Sequence, residues 1–218
     1  MNINPNKTLL LIVDVQNDFC PGGALAVNDG DVVVSPLNAL SNALAKKGGR
    51  ITATQDWHGA GHISFASTHG KNPGDVIDTS FVKGQVLWPD HCVQGTKGAD
   101  FHAGLDLNPV SIIIRKGFRP ELDSYSAFFE NDSCTATGLE GCIKQTNIET
   151  VIIGGLATDY CVLYSAMDCR KLGFNTILAS DAVKGVNYPE GSVEKAIDTM
   201  KSNGINFLSS QEILDILK

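Results

Sequence analysis

Short apolar runs alternate with longer amphipathic stretches along most of this chain. The apolar runs have the length and composition of strands covered on both faces in a parallel sheet, and the run at 50–54 is more polar than the others. Strands are therefore predicted at 9–13, 50–54, 111–114, 150–153 and 176–179.

Helical patterns lie between these predicted strands. The clearest places Leu37, Leu40 and Leu44 on one face, begins near Ser35 and ends at Gly48. Helices are predicted at 35–47, 134–146, 159–172, 190–203 and 210–217. The alternation predicts an α/β fold: a single-domain, three-layer sandwich over 1–218, with helices on both faces of a mostly parallel central sheet.

The stretch 56–109 interrupts this alternation. It is rich in Gly, His, Asp and Pro, and loops of this length in compact domains are usually functional or disordered. Its histidines favour a functional insertion within the domain.

Composition and charge narrow the set of partners. The 218 residues include 17 Lys and Arg against 24 Asp and Glu, a formal charge of -7 with no dense basic run, so nucleic acid is not expected as a partner. No signal-peptide pattern or bilayer-length apolar run is found, which predicts a cytoplasmic protein without membrane association.

The six cysteines are too scattered for a disulfide framework, so reduced thiols are expected. A monomer and a homo-oligomer both remain open.

Side chains that could act as bases, nucleophiles or metal ligands lie at or just after the ends of four of the predicted strands. Ligands gather at the carboxyl ends of the strands in open parallel sheets, so these side chains are expected to meet at one edge. They are Asp14, Asp56, His58, Lys116 and Cys161.

Cys161 comes where an apolar strand passes through a short turn into a helix. A thiol in the first turn of a helix lies near the positive end of the helix dipole, so its pKa is expected to fall. Free N–H groups in that turn could also stabilise an oxyanion. A buried structural cysteine is the competing interpretation.

Asp14 and Lys116 have two interpretations each. An acid at the end of an apolar strand is costly unless it is paired or working, so Asp14 is either a general base or a turn residue. Lys116 either pairs with Asp14 and helps to hold Cys161 as thiolate, or is a solvated surface lysine.

A second group of residues suits a metal ion. Asp56 and His58 would point the same way on an extended chain, and His62, His69 and His91 follow within the insertion. Imidazole and carboxylate ligands fit a catalytic zinc, iron or manganese ion with open positions. A loop that happens to contain histidines is the alternative.

Five motifs occur in order along the chain. They are DVQNDF at 14–19, QDWH with HISFA at 55–66, LWPDHC at 87–92, KG with SYSAF at 116–128, and ATDYC at 157–161. With them, nearly the whole chain resembles the nicotinamidase/pyrazinamidase group of the isochorismatase-like hydrolases.

The resemblance implies hydrolysis of nicotinamide to nicotinic acid and ammonia in NAD salvage, with pyrazinamide as a further substrate. By the same matching, Asp14 would be the general base, Lys116 its charge partner and Cys161 the nucleophile. Backbone N–H groups of Ala157 and Cys161 would form the oxyanion hole, beside a cis peptide between Leu156 and Ala157.

The resemblance also implies one divalent metal ion, with zinc expected and iron or manganese as alternatives. Its ligands would be Asp56, His58 and His91, and the ion would bind the pyridine nitrogen. His62 matches a histidine that is a direct ligand in some members and a water-linked neighbour in others. Aromatic walls around the ring would come from Phe19, Trp88 and Tyr125.

Other functions stay open at this point. A related cysteine amidohydrolase acting on N-carbamoyl or ureido compounds is the nearest, and the metal residues together with Trp88 count against it. Isochorismatase itself lacks the cysteine nucleophile, so Cys161 counts against that activity. A non-catalytic metal-binding or sensor protein would have no need of the three catalytic residues.

Overall fold

Apolar side chains on both faces of a parallel sheet organise residues 3–218, the part of the chain that this computed structural model describes. The strands are β1 (Thr8–Val13), β2 (Arg50–Asp56), β3 (Val76–Ile77), β4 (Gln85–Val86), β5 (Ile112–Lys116), β6 (Thr150–Leu156), β7 (Asn175–Lys184) and β8 (Asn206–Leu208). Six of them form one parallel sheet in the order β5-β2-β1-β6-β7-β8, and β3 pairs with β4 in a separate antiparallel hairpin.

Helices cover both faces of the sheet. They are α1 (Val34–Lys46), α2 (Leu139–Lys144), α3 (Leu163–Lys171), α4 (Ser192–Ser202) and α5 (Ser210–Ile216). Successive strand residues point to opposite faces, so Leu10 and Ile12 of β1 join the core beneath α1 and α5. Leu9 and Leu11 join the other core, beneath α2, α3 and α4. The predicted three-layer sandwich is confirmed.

All five predicted strands are present, but the predicted helix at 134–146 is mostly wrong. Only Leu139–Lys144 is helical. The preceding chain turns instead, because the carboxylate of Asp132 accepts hydrogen bonds from the N–H groups of Cys134 and Thr135. Gly138 then has a φ of 103°, a left-handed conformation that favours glycine, and the helix begins after it.

Strand pairing brings the chemically capable residues to one edge. Asp14 directly follows β1, while Asp56 and Lys116 are the last residues of β2 and β5 and lie opposite each other in register. The chain leaves the neighbouring strand β6 at Leu156 and reaches Cys161 one turn later. Within residues 3–218, none of the helices has the length and apolar character that crossing a membrane requires.

Candidate active site and metal centre

Lys116 is completely buried at the centre of the site. Its Nζ donates hydrogen bonds to Sγ of Cys161 at 3.4 Å, to the carbonyl oxygen of Ser124 at 2.9 Å and to Oδ1 of Asp56 at 3.1 Å. Oδ2 of Asp14 lies 2.8 Å from the same nitrogen. The surface-lysine interpretation is therefore wrong. Burial lowers the pKa of Lys116, but the acidic neighbours, led by Asp14, raise it well above its usual range, so the ammonium stays charged.

Asp14 is held in place by its backbone and by Thr54. Its φ of 47° is left-handed, its N–H donates to Oγ1 of Thr54, and that hydroxyl donates to Oδ1 of Asp14 at 2.6 Å. The buried Oδ2 faces the ammonium of Lys116 at 2.8 Å in an ion pair. Burial raises the pKa of Asp14, Lys116 opposes this and Asp56 adds to it. Asp14 is therefore a stronger base than an exposed aspartate, even though it is paired with Lys116.

Cys161 lies in a π-type turn, Thr158–Val162, that leads into α3. The N–H groups on either side of it, those of Tyr160 and Val162, both donate to the carbonyl oxygen of Ala157. The expectation of a lowered thiol pKa is wrong. Burial raises the pKa of Cys161 well above its usual value; Lys116 opposes this, and Asp14 adds to the rise. The resting thiol keeps its proton, so attack requires a base beside it.

The peptide between Leu156 and Ala157 is cis, as the resemblance implied. Ala157 lines the same pocket as Cys161. The assignment of the Ala157 and Cys161 N–H groups to an oxyanion hole stays a prediction.

Asp56, His58 and His91 present one buried group of ligand atoms. Oδ2 of Asp56 lies 3.0 Å from Nε2 of His58 and 3.5 Å from Nε2 of His91. The Nδ1 atoms of the two histidines face the carbonyl oxygens of Gly117 and Pro89, each at 2.7 Å. A carbonyl oxygen only accepts, so both rings carry a proton on Nδ1 and turn Nε2 toward Asp56. Carbonyl partners orient metal-binding histidines in this way, and the nitrogen and oxygen donors fit a divalent ion.

The charges in this group depend on one another. Burial lowers the pKa of His58, but Asp56 outweighs it and raises the pKa to about 9. Burial likewise raises the pKa of Asp56, but His58 and Lys116 outweigh it and hold this pKa well below its usual range. Asp56 is therefore an ionised carboxylate between two cationic neighbours.

His62 lies against His58 but is not part of the cluster of ligand atoms formed by Asp56, His58 and His91. The two rings are 4.2 Å apart between centroids. Nε2 of His62 donates to the carbonyl oxygen of Arg119 at 2.9 Å, which leaves Nδ1 to accept from Oγ of Ser64 at 2.8 Å. Both ring nitrogens are engaged, although His62 forms a second close set of ligand atoms with His58 and Asp123. Direct ligation by His62 stays a prediction.

Asp123 is a pocket residue that the sequence analysis missed. It is 3% exposed, its Oδ1 lies 4.0 Å from Nε2 of His58, and its Oδ2 accepts from Nε2 of Gln85 at 3.1 Å. Asp123 follows no strand and belongs to no run of apolar residues, so no pattern singled it out. His69, by contrast, lies apart from the group, with Nε2 donating to the carbonyl oxygen of Ile63.

Cys161 and the proposed metal ligands Asp56, His58 and His91 line one largely apolar pocket. The predicted aromatic residues Phe19, Trp88 and Tyr125 all line it, and Nε1 of Trp88 donates to the hydroxyl of Tyr125 at 3.0 Å. Further lining residues that were not predicted are Leu25, Asp123, Tyr160 and Val186.

The sheet topology and the buried cysteine site together define a class of α/β hydrolases. Residues 8–212 match the model of the Isochorismatase domain, and the chain belongs to this family. A nicotinamidase of Acinetobacter baylyi is 47% identical over 210 residues, which cover 96% of this chain and 95% of the relative.

Solved structures agree with this placement. A nicotinamidase/pyrazinamidase of Acinetobacter baumanii superposes with a TM-score of 0.91 at 44% identity, covering 97% of this chain and 100% of its own. A pyrazinamidase of Pyrococcus horikoshii in complex with zinc superposes with a TM-score of 0.77 at 36% identity, covering 93% and 99%.

Proposed function

We propose that this chain is a nicotinamidase that hydrolyses nicotinamide to nicotinic acid and ammonia in NAD salvage and also accepts pyrazinamide. The main support is one pocket that is lined by Cys161, by the proposed metal ligands Asp56, His58 and His91, and by the aromatic residues Phe19, Trp88 and Tyr125. Relatives named nicotinamidase at high identity over nearly the full chain support the same activity.

Three residues provide the covalent chemistry. Asp14 accepts the thiol proton as Sγ of Cys161 attacks the carboxamide carbon, and Lys116 stabilises the thiolate that develops. The N–H groups of Ala157 and Cys161 hold the tetrahedral oxyanion. The carbon–nitrogen bond then breaks, and the proton held on Asp14 passes to the departing nitrogen to give ammonia.

Hydrolysis of the resulting thioester uses the same residues again. Asp14 takes a proton from a water molecule, whose oxygen attacks the thioester carbonyl carbon. The carbon–sulfur bond breaks, nicotinic acid leaves, and the sulfur of Cys161 recovers a proton from Asp14.

Asp56, His58 and His91 would hold one divalent ion, with zinc expected and iron or manganese as alternatives. When bound, the ion supplies a Lewis-acid contact that orients and polarises the pyridine ring through its nitrogen. The stretch 56–109 is then the metal-binding insertion of a single domain. Phe19, Trp88 and Tyr125 enclose the ring and favour ring carboxamides over aliphatic ones.

Ammonia release from nicotinamide tests this function. We expect release by the purified wild-type protein, none by Cys161→Ala, and a large loss after treatment with a chelator that is reversed by adding metal back. No release by a folded, metal-loaded wild type would contradict the assignment and turn attention to ureido and carbamoyl substrates.

A further inference from the structure

Asp159 is a buried carboxylate that the proposed chemistry does not use. It lies two residues before Cys161 and is 5% exposed. Its Oδ1 accepts from the N–H of Val186 at 3.0 Å, and its Oδ2 accepts from the N–H of Asn187 at 2.9 Å and the hydroxyl of Ser192 at 2.5 Å. The carboxylate therefore joins the turn that contains Cys161 to both ends of the segment 185–192, which runs from the end of β7 to the first residue of α4.

The next residue fastens the middle of the same segment. The hydroxyl of Tyr160 donates to the carbonyl oxygen of Tyr188 at 2.5 Å. The approach at the start of the segment is close, since a Cβ on Gly185 would collide with Val193 and lie 2.9 Å from Oδ1 of Asp159. Two consecutive side chains before Cys161 thus hold segment 185–192 in one position.

Segment 185–192 provides a wall of the pocket. Val186 lines the pocket together with Cys161, and its N–H is one of the groups that Asp159 holds. The distance between this apolar wall and Sγ of Cys161 consequently depends on Asp159. A wall fixed relative to the nucleophile limits the width of ring that can reach it.

We propose that Asp159 is a positioning residue that sets ring selectivity by holding Val186 against the pocket. The proposal rests on the proposed hydrolysis of ring carboxamides and adds the residue that controls which rings are accepted. Unsubstituted rings such as nicotinamide fit the fixed wall, whereas rings with an added methyl group are discriminated against.

Asp159→Asn is a sharp test because every group that reaches Asp159 is a donor. A carboxylate accepts at both oxygens, but the amide of asparagine must turn its NH₂ toward the N–H of Val186 or that of Asn187. At least one backbone hydrogen bond is lost in either orientation. Asp181→Asn is the matched control, because Asp181 likewise accepts from a backbone N–H and a serine hydroxyl, both of Ser210, outside the pocket.

For Asp159→Asn we expect KM for nicotinamide to rise about tenfold, while kcat changes less than about threefold. The size of the change in KM corresponds to the loss of one hydrogen bond to a charged acceptor, the bond that holds the backbone of the pocket wall. The ratio of kcat/KM for 5-methylnicotinamide to that for nicotinamide should rise in this variant and in Val186→Ala, but not in Asp181→Asn. A fall in kcat with an unchanged ratio would show a merely structural role and overturn the proposal.

Amide hydrogen exchange gives a readout that needs no activity. The N–H groups of Val186 and Asn187 should exchange faster in Asp159→Asn than in the wild type or Asp181→Asn, and unchanged exchange would overturn the proposal.

Should Asp159→Asn fail to fold, Ser192→Ala removes one of the three bonds and should shift selectivity and exchange in the same directions. A wild type that releases no ammonia would refute the proposed function, while the exchange result would still decide whether Asp159 holds the wall.

Discussion

Lys116 and Asp56 lie opposite each other at the ends of two paired strands, and Nζ of Lys116 donates to Oδ1 of Asp56 at 3.1 Å. The other oxygen of Asp56 lies 3.0 Å from Nε2 of His58. One carboxylate therefore contacts both the lysine beside Cys161 and the proposed metal ligands. The catalytic residues Asp14, Lys116 and Cys161 and the proposed metal ligands Asp56, His58 and His91 influence each other's charge. They would present different atoms to a substrate, so variants can separate their roles.

Cys161→Ala and His58→Ala should separate the two groups. The first variant removes the attacking sulfur, so ammonia release should be abolished while metal content stays near that of the wild type. The second removes a ligand, so metal content and affinity for nicotinamide should fall together. Metal analysis of both purified variants is the measurement, and equal loss of metal in the two would show that the groups are wrongly divided.

Lys116→Met should strongly destabilise the metal-free protein. The change leaves the buried carboxylates of Asp14 and Asp56 without their cation, and breaking a buried ion pair in this way costs about 3–5 kcal/mol. Lys7→Met is the matched control, because the pair of Lys7 with Glu149 is exposed and contributes less than about 1 kcal/mol. Urea unfolding of both variants measures the difference. Similar losses in the two would mean that Lys116 does not act as a buried counter-charge.

Gly117→Ala should weaken metal binding. A Cβ at this position would lie 2.5 Å from Cε1 of His58 and 3.0 Å from Oδ1 of Asp56, so both proposed ligands would have to move. Gly95→Ala has the same unfavourable positive φ without a neighbour within 4 Å, and it controls for backbone strain. We expect metal affinity to fall at least about tenfold more in the first variant, as misplaced ligand-orienting groups typically produce. Equal affinities would contradict the orienting role of Gly117.

Metal affinity should fall as the pH is lowered. The pKa of His58 is about 9 in the metal-free protein, so near neutral pH a proton occupies the nitrogen that would bind the ion. Binding must release that proton, and the affinity should drop about tenfold for each pH unit below this pKa. Free Mn²⁺ measured by electron paramagnetic resonance between about pH 6.5 and 8.5 tests the slope. An affinity that is constant over this range would show that His58 is neutral before the ion binds.

The strand pattern alone predicts residues at strand ends well, whereas Phe19, Trp88 and Tyr125 lie outside the strands and α-helices and were predicted only from the resemblance. Asp14, Asp56 and Lys116 were identifiable because apolar strands point to them and parallel strands end at one edge. Asp123 and Val186 lie in irregular segments, and only tertiary packing brings them to the pocket. The small strand β8 was missed for a similar reason, since its three residues give too short a pattern to recognise.

The error about Cys161 has a different origin. Its position at the start of a helix indicated a lowered pKa, and that argument used only local structure. Burial and the carboxylates of Asp14 and Asp56 act in the opposite direction, and these carboxylates come from strands distant in sequence. The net shift depends on distances that no single segment encodes.

Capture of the acyl-enzyme tests the central claim most directly. Nicotinamide would be mixed with the metal-loaded protein, the reaction quenched in acid within milliseconds, and the intact and digested protein examined by mass spectrometry. We predict an added mass equal to nicotinamide minus ammonia on the peptide that contains Cys161, and none on Cys161→Ala. Two results would contradict a thioester at Cys161. One is ammonia release by the wild type without this adduct, and the other is ammonia release by Cys161→Ala.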